Sequence, residues 1–315
     1  MSAADPRSQR PLLGIALIVL MASCFASMDS SIRYLGGFLP VLLILWARYS
    51  FQALSMTLWL GWAAFSGRQR QPFRAAHPRF QALRGLLLLF TSAMSFYGVQ
   101  HMPVAEFTAI NMLTPVVVTL LAATVLHEPV SRLRWALVIG GFAGALIVIR
   151  PGSGLFGWAV LFPLAGALSY ASFQVLTAKL SALESPYTTH FYTGLTGTLV
   201  LTPLLAAWPG LDVAASLAAA SSAQLAMLAL IGLLGTVGHL LLILALGLAP
   251  TGSLMPFVYV QIAVAAAIGY LAFDHAPDGY AWLGMGVLSA CGAASAWLNV
   301  RRAPPSRVCS DTVAD

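Results

Sequence analysis

Only 8% of the 315 residues are charged, so an ionisable side chain inside an apolar run is a candidate for chemistry. Arg48 lies within VLLILWARYS, Asp29 and Arg33 lie one helical turn apart in MDSSIRYL, and His239 lies within LLGTVGHLLLIL. A guanidinium can hold a carboxylate or phosphate through two parallel N–H···O bonds. A carboxylate or imidazole in the same surroundings can carry a proton. Arg48 therefore has two readings: a ligand-holding cation, or a structural one neutralised by Asp29 and helix-end carbonyls. Asp29 is placed to pair with Arg33 on its own helix or with Arg48 on the next. His239 either titrates and touches ligand, or is a satisfied histidine inside a bundle.

Two further stretches, LHEPVSRLRW (126–135) and FDHAPDGYAW (273–282), each put a histidine beside a carboxylate. HEPVS lacks the second histidine of a zinc-peptidase helix, since Ser131 stands four residues after His127. Cys24, Cys291 and Cys309 are scattered and make neither a metal-ligand spacing nor a disulfide frame. A glycine-rich phosphate loop, HExxH, GxSxG and a paired intramembrane aspartate are all missing from the sequence. The expectation is no enzyme, no metal and no cofactor.

The elements that carry these residues follow from hydropathy. Hydrophobic residues make up 59% of the chain and mean hydropathy is +0.84. A soluble chain carries roughly 25% charged residues, so most of this one belongs in the lipid bilayer. The apolar runs are long rather than alternating, which predicts helices and not a barrel. Ten spans are predicted, over 12–34, 38–64, 83–101, 104–127, 132–150, 154–176, 187–208, 223–247, 252–273 and 279–298. Turn residues separate them, as in RPGSG (150–154), WPG (208–210) and APDG (276–279). The segment around Met21–Cys24 has the outline of a secretion signal with a loose lipoprotein box. It stays apolar on both sides of Cys24, and reads as a retained first span.

With the N-terminus in the cytoplasm, thirteen of the 16 Lys and Arg residues fall on that side, against Arg33 and Arg150 outside and Arg48 within a span. That bias places both termini in the cytoplasm. The net charge of +6 then reports orientation rather than nucleic-acid binding, and the basic stretch 68–84 is part of that signal. Abundant Ala, Leu, Gly and Arg with a single Lys point to a bacterial inner membrane.

Shifting the chain by 147 lays residues 85–145 over 232–292 without a gap: Gly85 meets Gly232, Pro103 meets Pro250 and Trp135 meets Trp282. Five spans in each half, an odd number, turn the second half over in the membrane. The expected fold is all-α integral membrane: ten transmembrane helices in two inverted five-helix repeats, 1–151 and 152–300, with a cytoplasmic tail over 301–315. Such repeats are common in secondary transporters, with the substrate site near the midplane between halves. The two His–carboxylate stretches then lie on opposite faces, ~30 Å apart. They cannot share a metal whose donors sit ~2 Å away. They are one inter-helix joint seen twice. The exchange of Glu128 for His275 reads as drift in a solvated loop, or as outer-side gating.

Under the same shift His239 falls on Ser92 and Gln261 on Thr114. Asn111 stands one turn before Pro115, which cannot donate to the Asn111 carbonyl. That freed carbonyl marks either a plain kink or a contact with water or substrate. Tyr170, Gln174 and Tyr259 are amphipathic groups deep in their spans, whereas Tyr97 and Tyr192 lie nearer span ends. Glu106, at the outer mouth of the fourth span, reads as solvated. The candidate binding residues are thus Arg48, Asp29, Asn111, Thr114, Tyr170, Gln174, His239, Tyr259 and Gln261. Asp29 and His239 are the plausible proton carriers, so proton coupling and facilitated diffusion both stay open. The expected partners are a small-molecule substrate and the lipid bilayer, not nucleic acid; a homodimer is also open.

The run MPVAEFTAINMLTPVVVTLLAATVLHEPVSRLRWALVIGGFAGALIVIRPG (102–152), ALSYASFQVLTAKL (167–180), LGTVGHLLLILALGLAP (234–250) and Arg48 in LWARYS together resemble the EamA family of the drug/metabolite transporter superfamily. The run MDSSIRYL with LILWARYS is similar to a subgroup that includes S-adenosylmethionine carriers. The resemblance implies ten helices, with spans 1–4 and 6–9 lining a cavity and spans 5 and 10 peripheral. It implies transport of a small polar organic metabolite, such as an amino acid or an S-adenosylmethionine-like compound. The chain departs from the family at His127, where Gly is usual, and at Asp274–His275, where Gly-Glu is usual. Span 5 carries Gly140 and Gly144 at GxxxG spacing, suited to close helix packing. The rival readings are a channel or scaffold without alternating access and, last, a membrane-embedded enzyme.

Overall fold

The computed structural model describes residues 11–67, 73–114, 116–117, 121, 132–150, 153, 155–180, 183–248 and 254–302. Every regular element among them is helical: α1 (Pro11–Leu35), α2 (Val41–Phe65), α3 (Pro78–His101), α4 (Val104–Asn111), α5 (Arg132–Ile149), α6 (Leu161–Leu180), α7 (Pro186–Ala206), α8 (Val213–Ala219), α9 (Ser222–Leu248), α10 (Val260–Phe273) and α11 (Gly279–Arg302). Short 3-10 turns, Gly157–Val160 and Met255–Tyr259, lead into α6 and α10. Among the described residues, five helical stretches are long and apolar enough to cross a membrane, and α5 and α10 contribute shorter apolar ones. The protein is an all-helical, multi-pass membrane protein.

Lipid offers no hydrogen bonds, so each span must satisfy its own polar groups. Hydroxyls inside the spans do this by bonding back one turn: Ser30 Oγ to the Ala26 carbonyl at 2.8 Å, Thr91 Oγ1 to Leu87 at 2.9 Å, Thr198 Oγ1 to Gly194 at 2.9 Å. Pro78 and Pro186 open α3 and α7 in the first turn, where a missing N–H costs nothing. The outward surface is apolar, with Leu58, Trp59, Trp62, Leu199 and Leu204 exposed.

The observed helices depart from the predicted spans chiefly at the start of α3 and in an extra short helix. The third helix begins at Pro78 rather than 83, so Arg79 lies within it and Arg84 lies well inside it rather than at its edge. The short helix α8 was not expected; Asp212 caps it by accepting from the Ala215 N–H at 2.9 Å. Of the predicted fourth span, 104–127, the structure describes α4 and, beyond it, residues 112–114, 116–117 and 121. The pair His127–Glu128 lies outside the described residues, as do Arg7, Arg10, Pro115 and the tail beyond Arg302.

Packing follows a regular scheme. Helix α1 lies against α9, α3 against α6, α2 against α7, α5 against α11, and α4 against α10. Further contacts join α3 to α7 and α2 to α9. The α5–α11 contact is backbone on backbone. A Cβ on Gly144 would lie 2.8 Å from the Leu288 nitrogen, and one on Gly284 would lie 2.6 Å from the Gly144 carbonyl oxygen. The GxxxG spacing read in span 5 is thus where α11 crosses.

Candidate functional site

A column of buried polar side chains runs between α1, α2 and α3 on one side and α6, α7 and α9 on the other. Its middle is Arg48, 1% exposed. The Arg48 Nη1 donates to Ser92 Oγ at 3.3 Å, and Tyr49 OH lies 2.9 Å from the same oxygen. The guanidinium sits over the Tyr49 ring, 4.5 Å from its centroid. Its Nε has no partner. A Cβ on Gly235 of α9 would lie 2.8 Å from that Nε, so a glycine there makes room for the cation.

Arg84 lies two turns from the start of α3 and is 3% exposed. Its Nε donates to Thr177 Oγ1 at 2.8 Å, and its Nη1 to Thr193 Oγ1 at 2.9 Å and to the Thr189 carbonyl at 3.1 Å. Phe173 lies beneath it, 4.6 Å from ring centroid to guanidinium carbon. One turn nearer the helix start, Gln81 Nε2 donates to Thr189 Oγ1 at 3.1 Å. Eight residues separate Arg84 from Ser92, so the two arginines are about 12 Å apart along the column.

Two imidazoles fill the space between helices. Gln52 Nε2 donates to the His190 carbonyl at 3.0 Å and faces His190 Nδ1 at 3.2 Å. An amide N–H needs an acceptor, so Nδ1 is the bare nitrogen and Nε2 carries the proton. That Nε2 is buried with no partner. The His190 ring stacks on His239 at 6.1 Å, and His239 on Phe25 at 4.9 Å. His239 Nδ1 donates to the Gly235 carbonyl at 2.8 Å.

Of the candidates read from sequence, the structure brings Arg48 and His239 into this column. Asp29 is buried beside it, 6% exposed. Neither pairing expected of Asp29 forms: among the described residues no carboxylate lies within ion-pair distance of Arg48 or Arg84. Arg33 instead donates to the carbonyls of Val99, at 3.0 Å, and Met102, and sits over Phe273. Tyr170, half-buried, stacks on Phe173 at 5.6 Å beside Arg84, with Gln174 one turn further on. The remaining four sit elsewhere. Thr114 Oγ1 donates to the Asn111 carbonyl at 2.8 Å, supplying the partner that proline withholds, while Asn111 Oδ1 stays unpartnered. The Tyr259 hydroxyl is packed against Gly292 of α11. Gln261 is buried on α10.

Arg84, Gln52, Gln81 and His190 escaped the sequence reading. Arg84 falls in a run that reads as a basic loop, and His190 pairs with a residue 138 positions away. Among the described residues no cluster of His, Cys, Asp and Glu could hold a metal ion.

Two His–Glu pairs close the column's ends. At the start of α3 the Glu184 carboxylate accepts the His77 backbone N–H at 2.8 Å and lies 3.7 Å from its ring. At the far end Glu106 Oε1 lies 3.0 Å from His275 Nε2. Glu106 was expected to be solvated; its side chain is only 5% exposed. His275 is therefore engaged rather than idle in a solvated loop. The same connection is tied again by Asp278, 2.7 Å from Arg150. Asp278 also accepts the Ala281 N–H at 2.8 Å. The Ala281 N–H, and with it the Arg150 guanidinium, hold the Asp278 carboxyl below the usual carboxylate range.

Residues 12–150 match the model of the EamA-like transporter family. That match spans the first half of the chain, which is thus similar to the EamA-like family. Among its relatives is a riboflavin transporter of Rhizobium johnstonii, 34% identical over 191 residues, 61% of each chain. Another is an S-adenosylmethionine uptake transporter of Rickettsia bellii, 25% identical over 269 residues, 84% of this chain and 87% of that one. A solved crystal structure, 18% identical, superposes with a TM-score of 0.62 over 95% of this chain and 100% of its own, and so shares the fold. Both relatives are named for moving a small metabolite, riboflavin in one case and S-adenosylmethionine in the other.

Proposed function

We propose that this protein is a secondary transporter of the bacterial inner membrane, moving a small polar organic metabolite by alternating access. The substrate class is an amino acid or a related compound, with S-adenosylmethionine-like molecules included, and movement is either proton-coupled or facilitative. The observation that carries the reading is the polar column: Arg48, Gln52, Arg84, His190 and His239 are buried together between helices of the two halves. Buried donors without partners are costly in an apolar setting, and a passing solute with hydrogen-bonding groups would use them.

The proposed architecture is two inverted five-helix repeats, 1–151 and 152–300, with both termini cytoplasmic. The packing scheme supports it. If α1 to α5 correspond to α6, α7, α9, α10 and α11, then α3–α6 exchanges with α1–α9, and α3–α7 with α2–α9. The pairs α2–α7, α4–α10 and α5–α11 map onto themselves. A two-fold relation between halves requires this pattern.

Counterflow in proteoliposomes tests the function. Vesicles preloaded with unlabelled S-adenosylmethionine, riboflavin or single amino acids are offered the same labelled compound. Saturable overshoot for at least one is expected. Linear, unsaturable entry would indicate a channel, and no protein-dependent flux with folded protein would sink the transporter reading.

A further inference from the structure

Resting on that reading, we infer that the substrate carries an anionic group, a carboxylate in the first instance, which is passed between Arg48 and Arg84 on its way through the column. The charge balance points there. Among the described residues, two guanidinium groups, 1% and 3% exposed, share one interior with Asp29, while the buried carboxylates of Glu106 and Glu184 are engaged by His275 and His77 at the ends. The Asp29 carboxylate forms no ion pair with either guanidinium. An unpaired buried charge is strongly unfavourable, so the protein holds a standing demand for an anion.

The neighbours of each arginine sharpen the demand. All partners of Arg84 are neutral oxygens, from Thr177, Thr189 and Thr193. Both threonine hydroxyls already bond to their own helix, Thr177 to Phe173 at 2.7 Å and Thr193 to Thr189 at 3.0 Å, so they orient the guanidinium without neutralising it. Arg48 has one weak contact to Ser92 and an Nε left bare. Between the arginines the partnerless Nε2 of His190 offers one more N–H. An acid moving along this line exchanges one guanidinium for the next, about 12 Å on, with an imidazole donor on the way. A neutral ring has no use for two buried cations.

The test compares each acid with its own blocked form. Thermal stabilisation of the purified wild-type protein is measured with S-adenosylmethionine and a panel of amino acids, each beside its methyl ester or amide, and with riboflavin. At least one free acid is expected to stabilise the protein, with its ester at least tenfold weaker, as loss of a charge-assisted bond implies. Arg84→Gln and Arg48→Gln should each narrow that acid-to-ester ratio. The wild-type ratio needs no variant, so a misfolded variant does not obscure the answer. Acids and esters binding equally, a panel with no stabilising acid, or riboflavin flux that survives both substitutions would overturn the inference. The last result would leave the transporter reading standing, whereas absence of any counterflow would remove that reading itself.

Discussion

Glu184 and Glu106 are both buried, both join one half of the chain to the other, and lie near opposite ends of α3. They are held differently. Glu184 accepts a backbone N–H, and the joint beside it includes Gln81 on Thr189 and Arg84 on three threonine groups. Glu106 holds a single ring nitrogen of His275, and its Oε2 is buried without a partner. The near joint is therefore redundant and buried, whereas the far one rests on one buried contact, His275 to Glu106, and one more exposed pair, Asp278 to Arg150. An alternating-access protein needs two closures that are not equally strong in a given state. On the proposed alternating-access reading, the His275 end is the one nearer to opening.

The largest effect is expected from His275→Leu. It leaves a carboxylate of low exposure with no partner on either oxygen, at a cost of about 1.5–3 kcal/mol for a hydrogen bond to a charged group. Thermal denaturation in detergent should show it, and a cysteine placed at Phe273 should label faster. Replacing both partners, His275→Leu with Glu106→Leu, should recover more than half of the loss, because no orphaned charge remains. If the single substitution is silent in both measurements, the asymmetry between the ends is not real.

A smaller change is expected at the other end. Glu184→Gln keeps an oxygen for the His77 N–H and should cost about 0.5–1.5 kcal/mol, without faster labelling of a cysteine at Arg74 or His77. A loss as large as that of His275→Leu would mean that the near joint is not redundant. Least of all is expected from Asp278→Asn. The Asp278 carboxyl is held below its ordinary range in the folded protein. Its contribution is therefore present above the ordinary value of about 3.9 and fades as pH falls through the lowered folded value. The wild-type midpoint should fall slightly faster than that of the variant between pH 5 and 3; identical curves would show that this tie adds nothing.

Much of the architecture was legible because lipid leaves few options. Long apolar runs must be helices, and Gly140 with Gly144 announces a close crossing. Arg48 was visible because its run is apolar on both sides. Arg84 was not, because it ends the arginine-rich stretch 68–84, which reads as a basic loop, while the helix starts at Pro78. Its hydrogen-bonding partners come from α6 and α7, roughly a hundred residues away in sequence. His190 was hidden the same way. Glu106 looked solvated because nothing near it in sequence hints at His275, 169 residues on.

One turn has a further consequence. Asp274 ends α10 in the left-handed region, φ 51°, and the next N–H, of His275, closes on the Gly269 carbonyl at 3.1 Å. The four residues after Asp274 then carry both ties, His275 to Glu106 and Asp278 to Arg150. Surface loops usually absorb insertions, but here one added residue would put one of the two ties out of reach. This connection has a set length as well as a set composition, and an epitope or reporter belongs elsewhere on that face, for example in the open stretch around Gly210.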